Sequence, residues 1–170
     1  MNKLTEEQYI ITKMALEHAK HVVTWQYESI YARYNMDNSP EDIAELMDGT
    51  YYAVCFQNEL VGFFCFGANA QVKAGKELGL YDDKHAIDIG LGMRPDLTGK
   101  GLGYNFVRLG MAFAYDHFNV QSLRLSVASF NQRAKRLYES VGFKEKQTFI
   151  NGVNEQATPF ILMLHHKDAK

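Results

Sequence analysis

Apolar and polar residues follow two different periods along the chain, and these periods predict its elements. Short apolar or alternating runs predict seven strands, at residues 9–14, 51–56, 60–66, 86–93, 123–127, 143–150 and 156–164. Apolar residues at helical spacing and helix-start signals predict four helices, at residues 16–27, 40–48, 102–118 and 131–141. The order is β-α-α-β-β-β-α-β-α-β-β, which predicts a mixed α/β (α+β) domain.

Turn residues set the connections between these elements. Ser39 is placed to cap the helix that Pro40 opens. The polar residues 57–59 predict a hairpin between two strands, and the Asn-Gly pair at 151–152 predicts a two-residue turn in the last hairpin. Residues 69–84 are polar and contain glycine, so we expect a long loop there, of the kind that often carries function.

Composition and charge limit the classes of protein that fit this pattern. The chain has 170 residues, 46% hydrophobic and 22% charged, with no repeat or linker, which predicts one domain over residues 1–170. A domain of this size needs no metal or disulfide staple. The net charge of -2 argues against a nucleic-acid partner.

The sequence also argues against a membrane protein and against thiol chemistry. No stretch approaches the ~18 apolar residues of a membrane span. The first residues lack an apolar signal segment, so we expect a cytoplasmic protein. Cys55 and Cys65 lie in apolar strand runs, which indicates small buried hydrophobic residues rather than catalytic thiols.

A glycine-rich turn is the first candidate for chemistry. Residues 89–103, IGLGMRPDLTGKGLG, run from a strand through a proline into a helix. Gly99, Gly101 and Gly103 let the backbone approach a ligand without a Cβ in the way. The helix start offers unpaired N–H groups and partial positive charge, and Lys100 adds a mobile cation, which suits a pyrophosphate. Taken alone, the segment is also consistent with a tight strand-to-helix turn; the P-loop and dinucleotide patterns do not occur.

A second segment, residues 126–143, reads SVASFNQRAKRLYESVGF. Asn131, Ala134 and Tyr138 have the spacing that places them on one face of a helix. Tyr138 would lie ~10 Å along the helix from Asn131. An extended thioester arm along this helix would meet an amide side chain first and a phenol further on.

Together the two segments resemble motifs of the GNAT superfamily of N-acetyltransferases. The first is similar to its pyrophosphate-binding motif, through Met93-Arg94-Pro95 and then TGKGLG at 98–103. The second is similar to the motif Asn-x-x-Ala-x-x-Leu-Tyr-x-x-x-Gly-Phe, which is matched by Asn131, Ala134, Leu137, Tyr138, Gly142 and Phe143. Thr98 stands where the family has Gln or Arg, so we expect binding at this loop to come mainly from backbone N–H groups. The similar order of elements extends from residue 51 to 164 and is looser over the first fifty residues.

The resemblance implies an acetyl-CoA-dependent N-acetyltransferase with the acyl-CoA N-acyltransferase fold, with acetyl-CoA as cosubstrate and no metal. Residues 1–50 would supply the acceptor side and residues 51–164 the cofactor-binding core. The implied cofactor-binding residues are Leu91, Gly92, Met93, Thr98, Gly99, Lys100, Gly101, Leu102, Gly103, Asn131, Arg133 and Arg136.

The implied reaction is direct attack of an amine on the thioester carbonyl, without an acyl-enzyme. A strand amide within residues 91–93 is the implied oxyanion donor, and Tyr138 the implied acid that protonates the departing thiolate. Asn131 would bond the pantetheine arm or cap its own helix. Arg133 and Arg136, with Lys135 between them, would contact the 3′-phosphate of coenzyme A or form a solvated face.

A lysine-like acceptor amine needs a base, since its pKa is ~10.4. Asp88, on the strand that enters the glycine turn, is the leading candidate, and the alternative is an outward-facing carboxylate. Weaker candidates for the base or the acceptor groove are Tyr81, Asp83, His85, Glu28 and Tyr31, each of which also suits ordinary surface or packing.

The acceptor is expected to be a primary amine of a small molecule or a peptide. One alternative is a non-catalytic protein of the same fold that binds or senses acyl-CoA. Another is an N-terminal acetyltransferase of ribosomal proteins or other peptides. Members of the family are often dimers, so the resemblance allows a homodimer, although no residue pattern specifies one.

Overall fold

The computed structural model describes residues 8–168 and divides the chain into two compact units. The first unit holds the residues up to Cys65 together with Leu91–Asn105, and the second holds Phe66–Gly90 together with the residues from Phe106 onward. The strands are β1 (Tyr9–Lys13), β2 (Tyr51–Phe56), β3 (Glu59–Phe66), β4 (Ala86–Met93), β5 (Ser122–Ala128), β6 (Lys144–Asn151) and β7 (Thr158–His166). The α-helices are α1 (Leu16–Val22), α2 (Pro40–Leu46), α3 (Lys73–Glu77), α4 (Gly103–Phe118) and α5 (Gln132–Ser140).

The first unit is built on an antiparallel meander. β1 pairs with β2 and β2 with β3, both antiparallel. The β2–β3 hairpin turns at Gln57 and Asn58, whose φ angles of 49° and 67° are those of a primed turn. The hairpin predicted from residues 57–59 is therefore confirmed.

Helix starts in this unit follow the predicted chemistry, but α1 is shorter than predicted. Ser39 Oγ accepts a hydrogen bond from Asp42 N–H at 3.1 Å, so it caps α2 as expected. The predicted helix at 16–27 is wrong beyond Val22. Asn35 supplies the physical reason, because its side chain bonds both the N–H and the carbonyl of Tyr27 and holds that segment out of the helix.

The second unit contains a mixed sheet. β4 pairs with β5 in parallel, through Ala86–Asp88 opposite Ser122–Arg124. β5 pairs with β7, and β7 with β6, both antiparallel. Seven strands with both kinds of pairing, together with the helices, confirm the mixed α/β class.

Two sequence predictions in the second unit are corrected by the structure. Residues 69–84 are not a continuous loop, since they contain α3, and Tyr81 packs with Phe149 and Leu162 in a buried cluster. The two-residue turn at 151–152 is also wrong, because Asn151 pairs with Thr158 and a short 3₁₀ helix lies between them. The Asn151 side chain instead accepts a hydrogen bond from Ala74 N–H at 3.2 Å, which ties the hairpin to α3.

Two further observations concern the classes of protein considered from the sequence. Among the described residues 8–168, no helix has the length and apolar character needed to cross a membrane. Cys65 is buried and Cys55 half-buried, and burial raises the pKa of the Cys55 thiol. A raised pKa disfavours the reactive thiolate, which supports a packing role for Cys55.

Candidate active site

The last residues of β4 form a closely packed edge in the first unit. Arg94 N–H donates to Val61 carbonyl at 2.9 Å, and Tyr27 Oη donates to Met93 carbonyl at 2.6 Å. Gly92 has no room for a side chain, because a Cβ there would collide with the ring of Phe63. The structure thus fixes the strand segment in which the oxyanion donor is predicted.

A short polar turn leads from β4 to the glycines. A 3₁₀ helix spans Pro95–Leu97, and the Arg94 guanidinium bonds Asp96 at 2.6 and 3.1 Å. That hydrogen bond is the main cause that lowers the pKa of the Asp96 carboxyl. Thr98 donates from its hydroxyl to Pro95 carbonyl at 2.8 Å. Where the family motif has Gln or Arg, this chain therefore has a residue that stabilises the turn itself.

The glycines after this turn adopt conformations that favour glycine. Gly99 and Gly101 have φ angles of 70° and 76°. A Cβ built on Gly101 would meet no atom within 4 Å, so open space lies over the backbone there. Lys100 is exposed, Leu102 is half-buried, and the 16-residue helix α4 begins at Gly103. A loop that opens into a helix N-terminus has the donors and the partial charge that hold a phosphate group.

Helix α5 in the second unit carries the other predicted site residues. Asn131 Oδ1 accepts a hydrogen bond from Ala134 N–H at 3.1 Å, so Asn131 caps α5. Tyr138 is half-buried, and its ring lies edge-on to Phe143 at 6.1 Å. Capping of α5 by Asn131 is thus confirmed, while its contact with a pantetheine arm stays a prediction.

The basic residues of α5 differ from one another. Arg133 and Arg136 are exposed. Lys135 lies 3.5 Å from Glu139 and 3.3 Å from Glu145, and the hydrogen bond to Glu145 is the main cause that raises the pKa of Lys135. Because they are exposed, both arginines stay candidates for a phosphate contact. The Lys135 ammonium lies against two carboxylates.

Asp88 is buried in the second unit and is not the outward-facing carboxylate of the alternative interpretation. Its two oxygens accept hydrogen bonds from Nε and Nη2 of Arg124, both at 2.7 Å. Gln71 Nε2 donates to the same carboxylate at 2.8 Å. The side chains of Asp88 and Arg124 are only 3% and 5% exposed. Because the carboxylate is buried and already accepts three hydrogen bonds, the geometry disfavours the base role of Asp88, which stays a prediction.

Arg124 extends the buried pair into a wider network. It donates to the carbonyl of Tyr81 at 3.0 Å and lies over the Tyr81 ring at 5.2 Å. Burial alone opposes the charged form of Arg124, but its hydrogen bond to Asp88 and the carboxylate's charge raise the pKa of the guanidinium. The pair thereby connects β4, β5 and the segment that follows α3.

The weaker base candidates are placed differently. Tyr81 is buried, and its hydroxyl bonds Ser126 Oγ at 2.7 Å and accepts from Val72 N–H at 3.1 Å. His85 Nδ1 lies 3.0 Å from Asp83, and bonding to the His85 backbone and ring lowers the pKa of that carboxyl. Asp83 and His85 line an open cleft of about 470 Å³. Its other lining residues are Gln121, Ser122, His166, Lys167 and Asp168.

The acceptor-side candidates lie in the first unit. Glu28 is exposed and immediately precedes a 3₁₀ helix, Ser29–Tyr34, while Tyr31 is half-buried within it. The acceptor-side roles of Glu28 and Tyr31 stay predictions.

Comparison with known families decides the class of protein. A family model described as the acetyltransferase (GNAT) family matches residues 16–143. The chain belongs to this family. The acetyltransferase is accordingly acetyl-CoA-dependent and acts on nitrogen. No curated protein sequence matches it significantly.

Solved structures with the same fold include three acetyltransferases. A GNAT-family acetyltransferase from Bacillus anthracis is 15% identical with a TM-score of 0.71, covering 94% of this chain and 95% of that chain. AAC(6')-Ib, in complex with ribostamycin and coenzyme A, is 18% identical with a TM-score of 0.71, covering 94% of each chain. The spermidine/spermine N-acetyltransferase SpeG from Vibrio cholerae is 16% identical with a TM-score of 0.66, covering 95% of this chain and 94% of that chain. At these identities the likeness shows the fold.

Sequence reasoning missed two residues of the acetyltransferase. Arg124 stands at a polar position of the alternating run LRLSV at 123–127, which predicts an outward-facing side chain, so the run gave no signal of its burial. Tyr27 gave no signal, since its contact with Met93 joins residues 66 positions apart. Among residues 8–168, no group of three or more His, Cys, Asp or Glu side chains is arranged to hold a metal ion.

Proposed function

We propose that this acetyltransferase moves acetyl from acetyl-CoA directly to a primary amine of a small molecule. The observation that carries the proposal is the loop at 98–103, which leaves open space over Gly101 immediately before the start of α4. Backbone N–H groups of this loop would hold the pyrophosphate, with Lys100 as a mobile counter-charge. Arg133 and Arg136 would meet the 3′-phosphate.

The transfer step follows from the residues assigned to it. Acetyl-CoA, when bound, supplies a thioester carbonyl that an uncharged amine can attack. The Met93 amide would donate to the oxygen as it gains charge, because a fixed backbone N–H does this without reorganising. Tyr138 would give its proton to the departing thiolate as the C–S bond breaks, and the proton lost by the amine would return the phenol to its neutral form.

The small-molecule acceptor is supported by the proteins that share the fold. Two of them are the aminoglycoside acetyltransferase AAC(6')-Ib and the spermidine/spermine N-acetyltransferase SpeG. A polyamine or an amino sugar is therefore the first acceptor class to test. A peptide amine is the second, and it corresponds to the N-terminal acetyltransferase alternative.

Further predictions accompany this function. One domain, a cytoplasmic location and a homodimer stay predictions. Sedimentation equilibrium of the purified chain would test the assembly, and a monomer at micromolar concentration would contradict the homodimer.

The proposal is tested by release of free coenzyme A thiol from acetyl-CoA in the presence of single amines. The panel should hold aminoglycosides, polyamines and peptides with a free α-amine. Acceptor-dependent release with a small amine is expected. Release only with peptides would favour the peptide enzyme, and acetyl-CoA binding without release under any acceptor would favour the sensing protein.

A further inference from the structure

One peptide group at the end of β4 is held from both sides within the first unit. Its carbonyl, that of Met93, accepts the hydrogen bond from Tyr27 Oη at 2.6 Å. Its N–H, that of Arg94, donates to Val61 carbonyl at 2.9 Å. Two bonds in opposite directions fix the orientation of this peptide plane.

The position of Tyr27 also marks one side of the strand. In a β-strand, the N–H and the carbonyl of one residue point to the same side. The N–H of Met93 therefore points to the side on which Tyr27 lies, away from β3. Leu91, two residues earlier, points its own N–H the same way. This is the side on which the strand can donate to a carbonyl oxygen outside the meander.

Tyr27 is itself anchored to a fixed segment. Its N–H donates to Asn35 Oδ1 at 2.6 Å, and Asn35 Nδ2 also bonds Gln26 Oε1 at 3.1 Å. Beside it, Trp25 stacks on Phe63 with ring centroids 6.2 Å apart. Phe63 in turn lies where a side chain on Gly92 would be. These contacts of residues 25–35, outside any α-helix, hold the Tyr27 hydroxyl against β4.

The Tyr27 hydroxyl stays protonated over the working pH range. Burial raises the pKa of Tyr27 to about 12, so it keeps its proton and acts as a donor. A general base would need a pKa nearer to the working pH. The geometry and the protonation state agree on a role in holding the strand.

We infer that Tyr27 is a positioning residue for acetyl transfer: it fixes the Met93–Arg94 peptide group and thereby restrains the adjoining Gly92–Met93 peptide, whose Met93 N–H would face the developing oxyanion. The inference rests on the proposed function, in which that amide is the oxyanion donor. Removal of a whole oxyanion donor costs ~10²–10³ in kcat. Loss of its orientation should cost part of that, on the order of 10–100-fold.

The variant Tyr27→Phe tests this, because it removes only the hydroxyl and keeps the ring. We expect kcat to fall on the order of 10–100-fold, with the Kd for acetyl-CoA within about threefold of wild type. The shape of the pH–rate profile should not change. Hydrogen exchange of the Arg94 amide should become faster, since its peptide loses one of its two bonds.

Tyr115→Phe is the matched control. Tyr115 lies on α4, its hydroxyl bonds His165 Nδ1 at 2.7 Å and the His165 carbonyl at 3.1 Å, and burial raises its pKa to about 12. The variant loses a buried hydroxyl with two partners, so its melting temperature should fall by at least as much as that of Tyr27→Phe, while kcat and Arg94 exchange stay at wild-type values.

The outcomes separate the inference from the proposed function. If the wild-type protein is active and Tyr27→Phe keeps full turnover, the inference about Tyr27 is overturned while the proposed function stands. Loss of one limb of the pH profile, which would make Tyr27 an acid or base, overturns the inference as well. Unchanged Arg94 exchange also overturns it. A wild-type protein that acetylates no amine overturns the proposed function, and the catalytic consequence of Tyr27 with it.

Discussion

Tyr138 carries the chemical step in the proposed mechanism, and its single phenol oxygen can be removed without disturbing the ring. We expect Tyr138→Phe to lower kcat by ~10²–10⁴, the usual contribution of a positioned general acid. Affinity for acetyl-CoA should stay nearly unchanged, because the ring still packs beside Phe143. Steady-state kinetics and calorimetric titration with acetyl-CoA measure the two quantities. Full turnover in this variant would remove Tyr138 from the acid role.

For Asp88 we predict an effect on stability, because its carboxylate is buried against Arg124. Asp88→Asn leaves a buried guanidinium without its counter-charge, and removal of one partner of such a pair costs about 3–5 kcal/mol. Urea unfolding measures the loss. A change below about 1 kcal/mol would show that the pair contributes little to stability.

A paired substitution separates the structural role of Asp88 from a catalytic one. Replacing Asp88→Leu and Arg124→Met together removes both charges, which is often far less costly than removing one. If Asp88 only holds the fold, the double variant should recover stability and turnover in parallel. Recovered stability with turnover still abolished would show that the pair has a role in turnover beyond holding the fold.

Two properties of the glycine loop can be tested separately: its backbone conformation and the space that it leaves for the cofactor. Gly101 and Gly49 both have positive φ, and a Cβ at either would meet no atom within 4 Å. Alanine at either position should therefore carry a similar backbone cost of ~1–2 kcal/mol. Only at Gly101 should a side chain also enter the space for the cofactor phosphates.

We accordingly expect Gly101→Ala to weaken acetyl-CoA binding on the order of tenfold and Gly101→Val to abolish it. Gly49→Ala should lose stability but keep wild-type affinity. Calorimetric titration of the three variants gives the comparison. Normal affinity in Gly101→Val would refute the assignment of this loop to the cofactor.

The elements also show how far sequence reasoning reached. Short apolar or alternating runs predicted the seven strands of residues 8–168, and a cap signal predicted the start of α2, since these signals are local. The end of α1 and the start of α3 involve side-chain hydrogen bonds to the backbone, from Asn35 to Tyr27 and from Tyr81 to Val72, and the pattern of apolar residues does not report such bonds. The last hairpin was mispredicted because Asn151 bonds Ala74 instead of forming the tight turn.

The candidate site divides in the same way. The glycine loop and the α5 motif are contiguous in sequence, so their residue types alone predicted them. The Asp88–Arg124 pair arises from the parallel register of β4 and β5, which joins residues 36 positions apart. The turn-stabilising role of Thr98 could not be predicted, because its hydroxyl reaches the Pro95 carbonyl only in the folded conformation of the turn.

For the whole molecule, His165 links stability to pH. Burial lowers the pKa of His165 in the folded protein from its ordinary value of 6.5. As the pH falls below about 6.5, the unfolded chain therefore binds a proton before the folded one, and stability is lost until the pH lies below the folded pKa. The contribution is fully present above that range.

We expect the melting temperature to fall between pH 7.5 and pH 5.5, and the fall to be smaller in His165→Gln. Differential scanning calorimetry of both proteins at the two pH values measures this. An equal fall in the variant would assign the pH dependence to other groups.

The proposed function requires this chain to bind acetyl-CoA, so the first measurement is thermal unfolding with acetyl-CoA, with ATP and NAD as controls. A specific ligand at ~100 times its Kd adds ~2.7 kcal/mol to the free energy of unfolding, which raises the melting temperature by roughly 5–10 °C for a chain of this size. We expect that rise with acetyl-CoA and none with ATP or NAD. No rise at saturating acetyl-CoA would contradict the proposed function.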